Sequence, residues 1–516
     1  MNLAQLFAGL DARLPEGAGR VEVRSLAVDS RAVDPGALFA ALPGVTADGT
    51  RFAAQAAQRG AAAVLSGRPL SSGEAGGLPC VVAGSPRKVF GLAAARFHGH
   101  PSDRLRLLGV TGTNGKTTTT YLVEQIASTL GLRAGLAGTV EQRWPGHTRE
   151  ATHTTLESHE LQAMLAAMVR ARVELAAIEV SSHALAQERA AGCRFAGAAF
   201  TNLTRDHLDY HGTLEEYFAQ KARLFRELLP DGAAAVLNLD DPRIAALAGE
   251  LRSEGRVRVT GFSLRGAAGA ELRGTILSNT LAGLSLELLG AGAQPLRVES
   301  PLVGAHNAEN LLAALGLLLS SGTPPEALAR GAAGARGAPG RLERVPDEAG
   351  RVVLVDYAHS DDALARALEA VRAAAGGARL ICVFGCGGDR DKGKRPLMGR
   401  AAGERADLVV ATSDNPRSED PRAILAQIEP GFLQAGCGKL EAARAREGAR
   451  GYCVEPDRRA AIALAVACAR SGDALLIAGK GHESYQVVGS EKRPFDDRVE
   501  ARHALAQVPP AAGAGK

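Results

Sequence analysis

The feature that most constrains the fold of this chain is a glycine-rich segment set between an apolar run and a helical pattern. The apolar run spans residues 107–110, and the helical pattern spans residues 118–130. Strand, glycine-rich turn and helix in that order form the context that a phosphate-binding loop (P-loop) requires. An ordinary turn at a helix start is the alternative, which the Lys-Thr pair directly after the second glycine disfavours. The segment therefore predicts an α/β fold and the binding of ATP or GTP.

Each residue type in this loop has a function in holding phosphate. Glycines let the backbone approach phosphate oxygens, and the amide groups at the helix N-terminus favour an anion. Lys116 adds a point charge, and Thr117 offers a hydroxyl to Mg²⁺. The predicted nucleotide-binding residues of the loop are Gly112, Thr113, Asn114, Gly115, Lys116, Thr117 and Thr118.

The length of the chain, 516 residues, predicts about three domains. We place them at residues 1–102, 103–340 and 341–516, with a Pro- and Gly-containing boundary directly before the strand of the P-loop. Short apolar runs that alternate with Ala-rich helical segments predict α/β domains, with a parallel sheet in the third. The runs are residues 21–23, 63–65, 81–82, 352–355, 380–384, 408–411 and 474–477.

Composition excludes several classes of protein. A net charge of +4 gives no case for nucleic acid, and no apolar run reaches the roughly 18 residues of a membrane span. The first residues carry no basic region followed by an apolar core, and the seven scattered cysteines fit a reducing compartment. We therefore expect a cytoplasmic enzyme. The Pro- and Gly-rich tail, residues 509–516, is predicted to be disordered.

Two further runs end in polar side chains. Residues 175–179 read as a buried strand that ends at Glu179, and residues 198–200 precede a polar loop that contains His207. Parallel sheets place their ligands at the carboxyl ends of strands. A carboxylate on an apolar strand is costly to bury without a cation, so we expect Glu179 to bind Mg²⁺. Both side chains are predicted to reach one crevice beside the P-loop.

In combination, these motifs resemble the Mur ligases, the cytoplasmic ATP-dependent enzymes that form amide bonds in peptidoglycan precursors. The matching segments are residues 111–118, 179–183, 202–212, 217–225, 302–310, 339–343 and 355–359. The resemblance covers essentially the whole chain. It implies a uridine-nucleotide-binding α/β domain, a central P-loop ATPase domain and a C-terminal Rossmann-like domain, and a function in cell-wall biogenesis, cell shape and cell division.

The C-terminal motifs resemble the family members that add the third peptide residue. In the family, the sequence Asp-Asn-Pro-Arg accompanies meso-2,6-diaminopimelate as the incoming amine. Diaminopimelate has a distal carboxylate that lysine lacks, and a guanidinium can hold a carboxylate with two parallel hydrogen bonds. The predicted diaminopimelate-binding residues are Arg390, Asp414, Asn415, Pro416, Arg417, Gly479 and Glu483.

The resemblance also implies sites for the two other substrates. The positions that match contacts with ATP outside the P-loop are Asn307, Arg341, Asp356 and His359. The positions that match contacts with UDP-N-acetylmuramoyl-L-alanyl-D-glutamate are Ser30, Thr154, Thr155, Ser181, Gln187 and Arg189. One departure stands out: the family commonly has Asn-Thr-Thr-Pro where this chain has His-Thr-Thr-Leu at residues 153–156. The loss of proline removes a rigid turn.

Family chemistry implies that ATP converts the glutamyl carboxylate to an acyl phosphate, which the amine then attacks. The predicted catalytic residues are Lys116, Glu179, His207 and Lys221, and the predicted ligands of Mg²⁺ are Thr117, Glu179, His207 and Lys221. In most of the family, the lysine that matches Lys221 is carbamylated and supports Mg²⁺ as an anion. From the residue alone, an exposed helix lysine is the alternative.

Other functions stay open at this stage. The chain could add lysine, could be related to the folylpolyglutamate synthetases, or could be a nucleotide-gated binding module without catalysis. The Asp-Asn-Pro-Arg sequence disfavours the first, the uridine-type N-terminal segment disfavours the second, and the intact catalytic set disfavours the third. We expect a monomer that acts on small molecules, with ATP and Mg²⁺ as cofactors, and that binds neither nucleic acid nor membrane.

Overall fold

The fold is described from a computed structural model, which covers residues 1–44 and 47–508. The predicted disordered tail, residues 509–516, lies outside the described residues. The chain divides into two compact units. The first consists of residues 1–273 and 312–328, and the second of residues 274–311 and 329–516. The domain boundaries at residues 102 and 340 stay a prediction.

The N-terminal part of the first unit is built on a small parallel sheet. Its four strands lie in the order β1-β2-β3-β4, and each pair is parallel. Apolar side chains of the sheet and of the longest helix, α3, form the core. The elements are α1 (Leu3–Leu6), β1 (Ser25–Ala27), β2 (Ala37–Ala41), α2 (Ala53–Gln58), β3 (Ala63–Ser66), β4 (Cys80–Val82) and α3 (Pro86–Phe97).

The rest of the first unit forms a second sheet with helices around it. Its elements are β5 (Arg106–Thr111), α4 (Lys116–Thr129), β6 (Ala134–Ala137), β7 (Glu141–Trp144), β8 (His147–Glu150), α5 (Ser158–Arg170), β9 (Leu175–Glu179), α6 (Ser182–Ala186), β10 (Gly197–Phe200), α7 (Leu208–His211), α8 (Leu214–Arg223), β11 (Ala234–Asn238), α9 (Pro242–Glu254) and β12 (Arg258–Ser263). The strands follow the order β12-β11-β10-β5-β9-β6-β7-β8. Only the β6-β7-β8 end is antiparallel among these described pairs.

Strand β5 is central to this sheet because it pairs in parallel with both β9 and β10. Val110 lies opposite Glu179 of β9, and Thr111 lies opposite Phe200 of β10. The three strands therefore end at nearly the same level. The loops that follow them start from one edge of the sheet, where parallel α/β sheets bind ligands.

The segment that leads out of the first unit carries the strands β13, β14 and β15, which are neighbours in that order. The β14–β15 pair is antiparallel. Two helices follow. The bounds are β13 (Leu272–Thr280), β14 (Gly283–Leu289), β15 (Leu296–Ser300), α10 (Ala305–Ser320) and α11 (Pro325–Gly334).

The C-terminal part of the second unit is a six-stranded sheet in the order β16-β17-β21-β18-β19-β20, with a separate hairpin, β22-β23. All pairs are parallel except β16–β17 and the hairpin. The elements are β16 (Glu343–Val345), β17 (Val352–Asp356), α12 (Asp361–Ala374), β18 (Leu380–Cys386), α13 (Lys394–Arg405), β19 (Leu408–Ser413), α14 (Pro421–Gln434), α15 (Ala442–Arg446), β20 (Gly451–Val454), α16 (Arg458–Cys468), β21 (Ala474–Ala478), β22 (Tyr485–Val488), β23 (Glu491–Pro494) and α17 (Asp497–Gln507).

The predicted α/β class is confirmed, and most of the predicted strands are present. The run at residues 21–23 is the exception, because only Glu22 makes an isolated bridge, to Asn2, and strand β1 begins at Ser25. Val23 is buried at 1% exposure, so its apolar character reflects core packing and not a strand. Across residues 1–44 and 47–508, no helix combines the length and apolar character that crossing a membrane requires.

A buried ion pair holds α16 and α17 together beneath the third sheet. The side chains of Arg458 and Asp497 are both at 0% exposure. The guanidinium donates to both carboxylate oxygens at 2.7 Å and to the carbonyl of Ala478 at the end of β21. A buried charge that loses its partner is strongly destabilising.

We predict that Asp497→Ala lowers the free energy of unfolding of the second unit by about 3–5 kcal/mol, because it leaves a buried guanidinium unpaired. Urea denaturation measures the change. The control is Glu491→Ala, which breaks an exposed pair with Arg493 and should have a much smaller effect. Equal losses in the two variants would contradict this account of the pair.

Candidate active site

The P-loop follows β5 and requires glycine at its first position. Gly112 has φ +146°, and a Cβ atom there would collide with Thr201 Oγ1. Gly115, at φ +84°, directly precedes helix α4. Lys116 and Thr117 therefore occupy the first turn of the helix, as the sequence predicts for a phosphate-binding loop.

The loop after β10 braces the P-loop through several hydrogen bonds. Asn202 accepts from the N–H groups of Thr113 and Asn114, through its carbonyl and its side-chain oxygen respectively, both at 2.9 Å. Thr201 Oγ1 donates to the carbonyl of Asn114 at 2.6 Å, and the Thr204 N–H donates to Thr113 Oγ1 at 2.9 Å. The conformation of the P-loop is thus fixed by a neighbouring loop as well as by its own glycines.

Two lysines meet at the carbonyl of Gly112. Lys116 Nζ donates to this oxygen at 2.9 Å and to the Thr113 carbonyl at 2.8 Å, and Lys221 Nζ donates to the Gly112 oxygen at 2.8 Å. Lys221 is at 1% exposure, and its Nζ lies 4.5 Å from the centre of the Tyr217 ring. Burial, followed by the charge of Lys116, lowers the pKa of Lys221 well below its usual value. The simple alternative of an exposed helix lysine is therefore wrong.

Glu179, the last residue of β9, is buried and held by Thr139. The N–H of Thr139 donates to Oε1 at 2.7 Å, and its hydroxyl donates to Oε2 at 3.1 Å. A Cβ atom on Gly138 would collide with Oε1, so glycine is required beside the carboxylate. Both carboxylate oxygens of Glu179 therefore have defined positions at the sheet edge, on the strand next to β5.

His207 lies in a cluster of rings that includes His183, from the helix that follows β9. It adopts φ +52° at the start of α7, and its ring is 4.8 Å from that of His183 and 6.2 Å from that of Tyr217. His211 in the same cluster bonds Ser182 Oγ at 2.9 Å. Burial, with the charge of His183 next, lowers the pKa of His211 to about 4. Since Tyr217 also contacts Thr113 at 3.4 Å, His207 lies near the P-loop.

Three of the six residues predicted to bind the UDP-linked substrate, Thr154, Thr155 and Ser181, lie beside Glu179. Thr154 Oγ1 is 3.1 Å from Thr139 Oγ1, and Thr155 Oγ1 donates to the Glu179 carbonyl at 2.8 Å and accepts from the Ser181 N–H at 3.1 Å. Leu156, in place of the usual proline, is buried in the core and anchors the loop.

The remaining predicted contacts of this substrate lie at two places. Arg189 donates to the Thr155 carbonyl at 3.0 Å and to Gln187 Oε1 at 2.8 Å, and it pairs with Glu157 at 3.0 Å. Ser30 is in the N-terminal sheet region, where its hydroxyl donates to Gln55 Oε1 at 2.7 Å. Arg189 and Gln187 are thus connected to Glu179 through Thr155, whereas the contacts described do not connect Ser30 to Glu179.

In the second unit, three of the predicted diaminopimelate residues, Asp414, Asn415 and Glu483, lie beside a buried lysine that the sequence did not single out. Lys480 is at 0% exposure and donates to Asn415 Oδ1 at 3.0 Å and to the Tyr485 carbonyl at 2.7 Å. Its Nζ is 3.5 Å from Asp414 Oδ1 and 3.7 Å from Glu483 Oε2. Burial lowers the pKa of Lys480, and the charge of Asp414 opposes that effect.

The side-chain amide of Asn415 has a fixed orientation. Its oxygen accepts from Lys480 and from the Val487 N–H at 2.9 Å, and its nitrogen donates to Glu483 Oε2 at 3.1 Å. Arg417, at φ +51°, donates to the Gly388 carbonyl at 2.8 Å.

The other predicted diaminopimelate residues lie on adjoining loops. The Gly388 N–H donates to the Asn415 carbonyl, next to Pro416, and Arg390 is exposed on the same loop as Gly388. Gly479 directly follows β21 and donates its N–H to the Asp356 carbonyl.

The ATP-contact positions predicted in the second unit fall into three groups. Asp356 ends β17, and its carboxylate accepts from the N–H groups of Leu342 and Ala358, each at 2.8 Å. Arg341 stacks over Tyr357 at 4.8 Å, and His359 Nδ1 lies 2.9 Å from the Tyr357 carbonyl. Asn307, on α10, bonds the Val303 carbonyl at 2.9 Å.

The protein groups near the P-loop fit Mg²⁺ bound together with a nucleotide. Within the described residues, no cluster of three or more His, Cys, Asp or Glu side chains could hold a metal by itself. Mg²⁺ in nucleotide sites is usually bound through one or two carboxylates plus substrate phosphates, so such a cluster is not required. The hydroxyl of Thr117, the carboxylate of Glu179 and the imidazole of His207 are suitable donors.

Three protein-family models match the chain. The model described as Mur ligase middle domain matches residues 110–318, the Mur ligase, glutamate ligase domain matches residues 340–481, and the Mur ligase family, catalytic domain matches residues 22–100. A UDP-N-acetylmuramoyl-L-alanyl-D-glutamate--2,6-diaminopimelate ligase from Parasynechococcus marenigrum (strain WH8102) is 48% identical over 520 residues. The match covers 98% of this chain and 99% of that protein. This chain belongs to the Mur ligase family.

Further similarities agree with membership of the Mur ligases. A protein of the same name from Geobacter metallireducens is 43% identical over 516 residues, which cover 98% of this chain and 99% of that protein. A solved structure of a UDP-N-acetylmuramoyl-L-alanyl-D-glutamate--2,6-diaminopimelate ligase superposes with a TM-score of 0.72 at 35% identity, covering 98% of this chain and 99% of that one. A folylpolyglutamate synthase from Thermotoga maritima has a TM-score of 0.58 at 14% identity, which shows a shared fold alone.

Sequence reasoning did not assign four residues that the structure places beside predicted site residues. These are Thr139, Tyr217, Lys480 and His482. Lys480 and His482 lie in the segment 479–483, which the sequence had already associated with the amine. Lys480 and His482 could have been found from the sequence, because both are polar residues that lie between the predicted site positions Gly479 and Glu483. Thr139 carries no comparable signal, because its partner Glu179 is 40 residues away.

We predict a pH dependence that arises from His482, whose ring lies 5.0 Å from that of Tyr357. Burial, with the charge of Arg341 next, lowers the pKa of His482 to about 4. In the unfolded chain, the pKa returns to about 6.5. The unfolded state thus binds more protons between these values, and stability falls as the pH falls through that window.

His482→Phe should weaken this dependence, whereas the exposed His503→Phe should leave it unchanged. Melting temperatures from pH 4 to 7 measure the effect. Parallel curves for wild type and His482→Phe would show that His482 does not contribute.

Proposed function

We propose that the protein is an ATP-dependent ligase that adds meso-2,6-diaminopimelate to UDP-N-acetylmuramoyl-L-alanyl-D-glutamate during peptidoglycan precursor synthesis. The observation that carries the proposal is full-length identity of 43–48% to ligases named for this reaction. The Asp-Asn-Pro-Arg loop at residues 414–417 is intact, and its asparagine has a fixed amide orientation. The lysine-adding and folate-related alternatives have no comparable support.

Amide formation from a carboxylate requires activation, because a carboxylate is a poor electrophile. The γ-phosphoryl group of ATP passes to the glutamyl carboxylate, which gives an acyl phosphate and ADP. The amine then attacks the acyl carbon, and the tetrahedral intermediate expels phosphate. Phosphoryl transfer mainly requires positioning and neutralisation of charge. The P-loop amides and Lys116 supply both at the β- and γ-phosphates.

Mg²⁺ would neutralise negative charge on the phosphates when it is bound. Thr117 would hold one ion, and Glu179 with His207 would hold a second. The support for Glu179 is geometric, since a buried carboxylate with two fixed oxygens lies at the end of the strand next to β5. The support for His207 is its place beside Tyr217, which contacts the P-loop.

We propose that Lys221 carries a carbamate. The neutral amine attacks carbon dioxide and releases one proton, so that an uncharged side chain becomes an anion. The surroundings of Lys221 favour the neutral amine, because the side chain is buried and its Nζ shares the Gly112 carbonyl with the charged Nζ of Lys116. The carbamate would support Mg²⁺ beside the P-loop.

At the amine end, the fixed amide of Asn415 and the guanidinium of Arg417 are suited to a carboxylate. The oxygen of Asn415 is occupied by Lys480 and the Val487 N–H, and one hydrogen of its nitrogen is donated to Glu483, so the second N–H is the part available to a ligand. Glu483 is suited to an ammonium group. Diaminopimelate has both charged groups at each end, whereas lysine lacks the distal carboxylate.

The other expectations stay proposals with less support. We infer three domains with boundaries near residues 102 and 340, a cytoplasmic location, and a monomer that binds neither nucleic acid nor membrane. A net charge of +4 over 516 residues is consistent with small-molecule substrates. Roles in cell shape and cell division would follow from the proposed reaction.

The proposed reaction is tested by offering the purified protein ATP, Mg²⁺ and UDP-N-acetylmuramoyl-L-alanyl-D-glutamate with either meso-diaminopimelate or L-lysine. Mass spectrometry of the product and phosphate release give the result. We expect the diaminopimelate tripeptide as the main product. Preference for lysine would overturn the specificity, and no product with either amine would overturn the reaction.

We predict that Arg417→Ala raises the KM for diaminopimelate about tenfold or more, because it removes charge-assisted hydrogen bonds to a carboxylate. The KM for ATP should change by less than about twofold, within the range of indirect effects. Arg422→Ala, an exposed arginine on the neighbouring helix, is the control. Equal rises in the two KM values for Arg417→Ala would contradict the assignment of Arg417 to the amine.

Carbon-13 NMR of protein equilibrated with labelled bicarbonate tests the carbamate on Lys221. Wild type should show one slowly exchanging carbamate signal that Lys221→Met lacks. Lys394→Met, which alters a lysine outside the first unit, should keep the signal. A signal that persists in Lys221→Met would place the carbamate elsewhere.

A further inference from the structure

Thr139 contacts two groups that the proposed function assigns to different tasks. Its N–H and its hydroxyl donate to the two carboxylate oxygens of Glu179, at 2.7 and 3.1 Å. The same hydroxyl oxygen is 3.1 Å from Thr154 Oγ1. Thr139 thus joins a proposed ligand of Mg²⁺ to a proposed contact of the UDP-linked substrate. We call Thr154, Thr139 and Glu179 the hydroxyl chain.

The direction of the hydrogen bonds in the hydroxyl chain follows from the number of hydrogens that each group can donate. A threonine hydroxyl has one hydrogen, and an ionised carboxylate can only accept. Because Thr139 gives its hydrogen to Glu179, it can only accept from Thr154. The hydrogen of Thr154 is therefore used inside the protein, and only lone pairs remain for a ligand.

The neighbouring threonine is also committed. Thr155 donates its hydrogen to the Glu179 carbonyl at 2.8 Å and accepts from the Ser181 N–H at 3.1 Å. It is buried at 4% exposure, whereas Thr154 is half-buried and lines one small cleft together with Glu179 and Gly138. Thr154 is thus the threonine of this pair whose lone pairs a substrate can reach.

We propose that Thr139 is a positioning residue that orients the hydroxyl chain, so that Thr154 accepts a hydrogen bond from a peptide N–H of the UDP-linked dipeptide. This inference rests on the proposed function. A carboxylate or phosphate has no hydrogen to give, so Thr154 does not bind those parts of the substrate. The dipeptide is favoured over the sugar because Glu179, beside Thr154, is assigned to the end where the glutamyl carboxylate reacts.

The experiment measures binding of UDP-N-acetylmuramoyl-L-alanyl-D-glutamate by calorimetry, without ATP or Mg²⁺. Thr139→Val keeps the shape of the side chain but removes the hydroxyl, and Thr139→Ser keeps the hydroxyl. One net hydrogen bond corresponds to a loss of about fivefold to tenfold in affinity. We expect that loss for Thr139→Val and for Thr154→Val, and near wild-type affinity for Thr139→Ser.

Two comparisons distinguish a Thr139 that orients Thr154 from a Thr139 that only supports the local structure. If Thr139 acts through Thr154, adding Thr139→Val to Thr154→Val costs no further affinity. Two analogues of the substrate, in each of which an ester replaces one of the two amide bonds, test the acceptor role of Thr154 because each lacks one N–H. Wild type should bind one of these esters about fivefold to tenfold more weakly than it binds the amide substrate. Thr154→Val should bind that ester and the amide substrate equally well. Melting curves establish that the variants fold, and Thr139→Ala replaces Thr139→Val if the latter does not.

The outcomes are distinct. Failure of wild type to bind the UDP-linked dipeptide would overturn the proposed function and this inference with it. Binding by wild type with unchanged affinity in Thr139→Val, additive losses in the double variant, or equal affinity for both esters and the amide would overturn this inference alone.

Discussion

The parallel pairing of β5 with both β9 and β10 is the constraint on which the catalytic region depends. It aligns Val110 with Glu179 and Thr111 with Phe200, so three strands end together. The P-loop, the carboxylate of Glu179 and the loop that contains His207 all start from that edge. Hydrogen bonds from Thr201 and to Asn202 then hold the P-loop in one defined conformation at that edge.

Two buried lysines show how the same side chain serves different purposes. Lys221 is buried near the charge of Lys116, and these two factors destabilise its own charge despite the carbonyl and the aromatic ring that it contacts. Lys480 lies between Asp414 and Glu483 and donates to two oxygens, and these partners offset part of the cost of burying its charge. The first environment suits chemical modification of the amine, and the second suits a fixed cation that orients Asn415.

The sequence predicted the α/β class and the strands that carry the motifs because those strands are short apolar runs followed by glycine or polar residues. It predicted a strand at residues 21–23 that is absent, since burial of Val23 also produces an apolar pattern. The environment of Lys221 could not be predicted from helix α8, because half of its residues are charged or amide side chains and a lysine there reads as solvent-exposed. The bond from Thr139 to Glu179 joins residues 40 positions apart, and only the packing of β6 against β9 brings them together.

In the proposed reaction, ATP activates the glutamyl carboxylate as an acyl phosphate. The most direct measurement uses UDP-N-acetylmuramoyl-L-alanyl-D-glutamate with oxygen-18 in the reacting carboxylate, together with ATP and diaminopimelate. We expect one labelled oxygen in the inorganic phosphate for each amide bond formed. Label in AMP would indicate adenylation instead, and amide formation without label in phosphate would contradict the acyl phosphate.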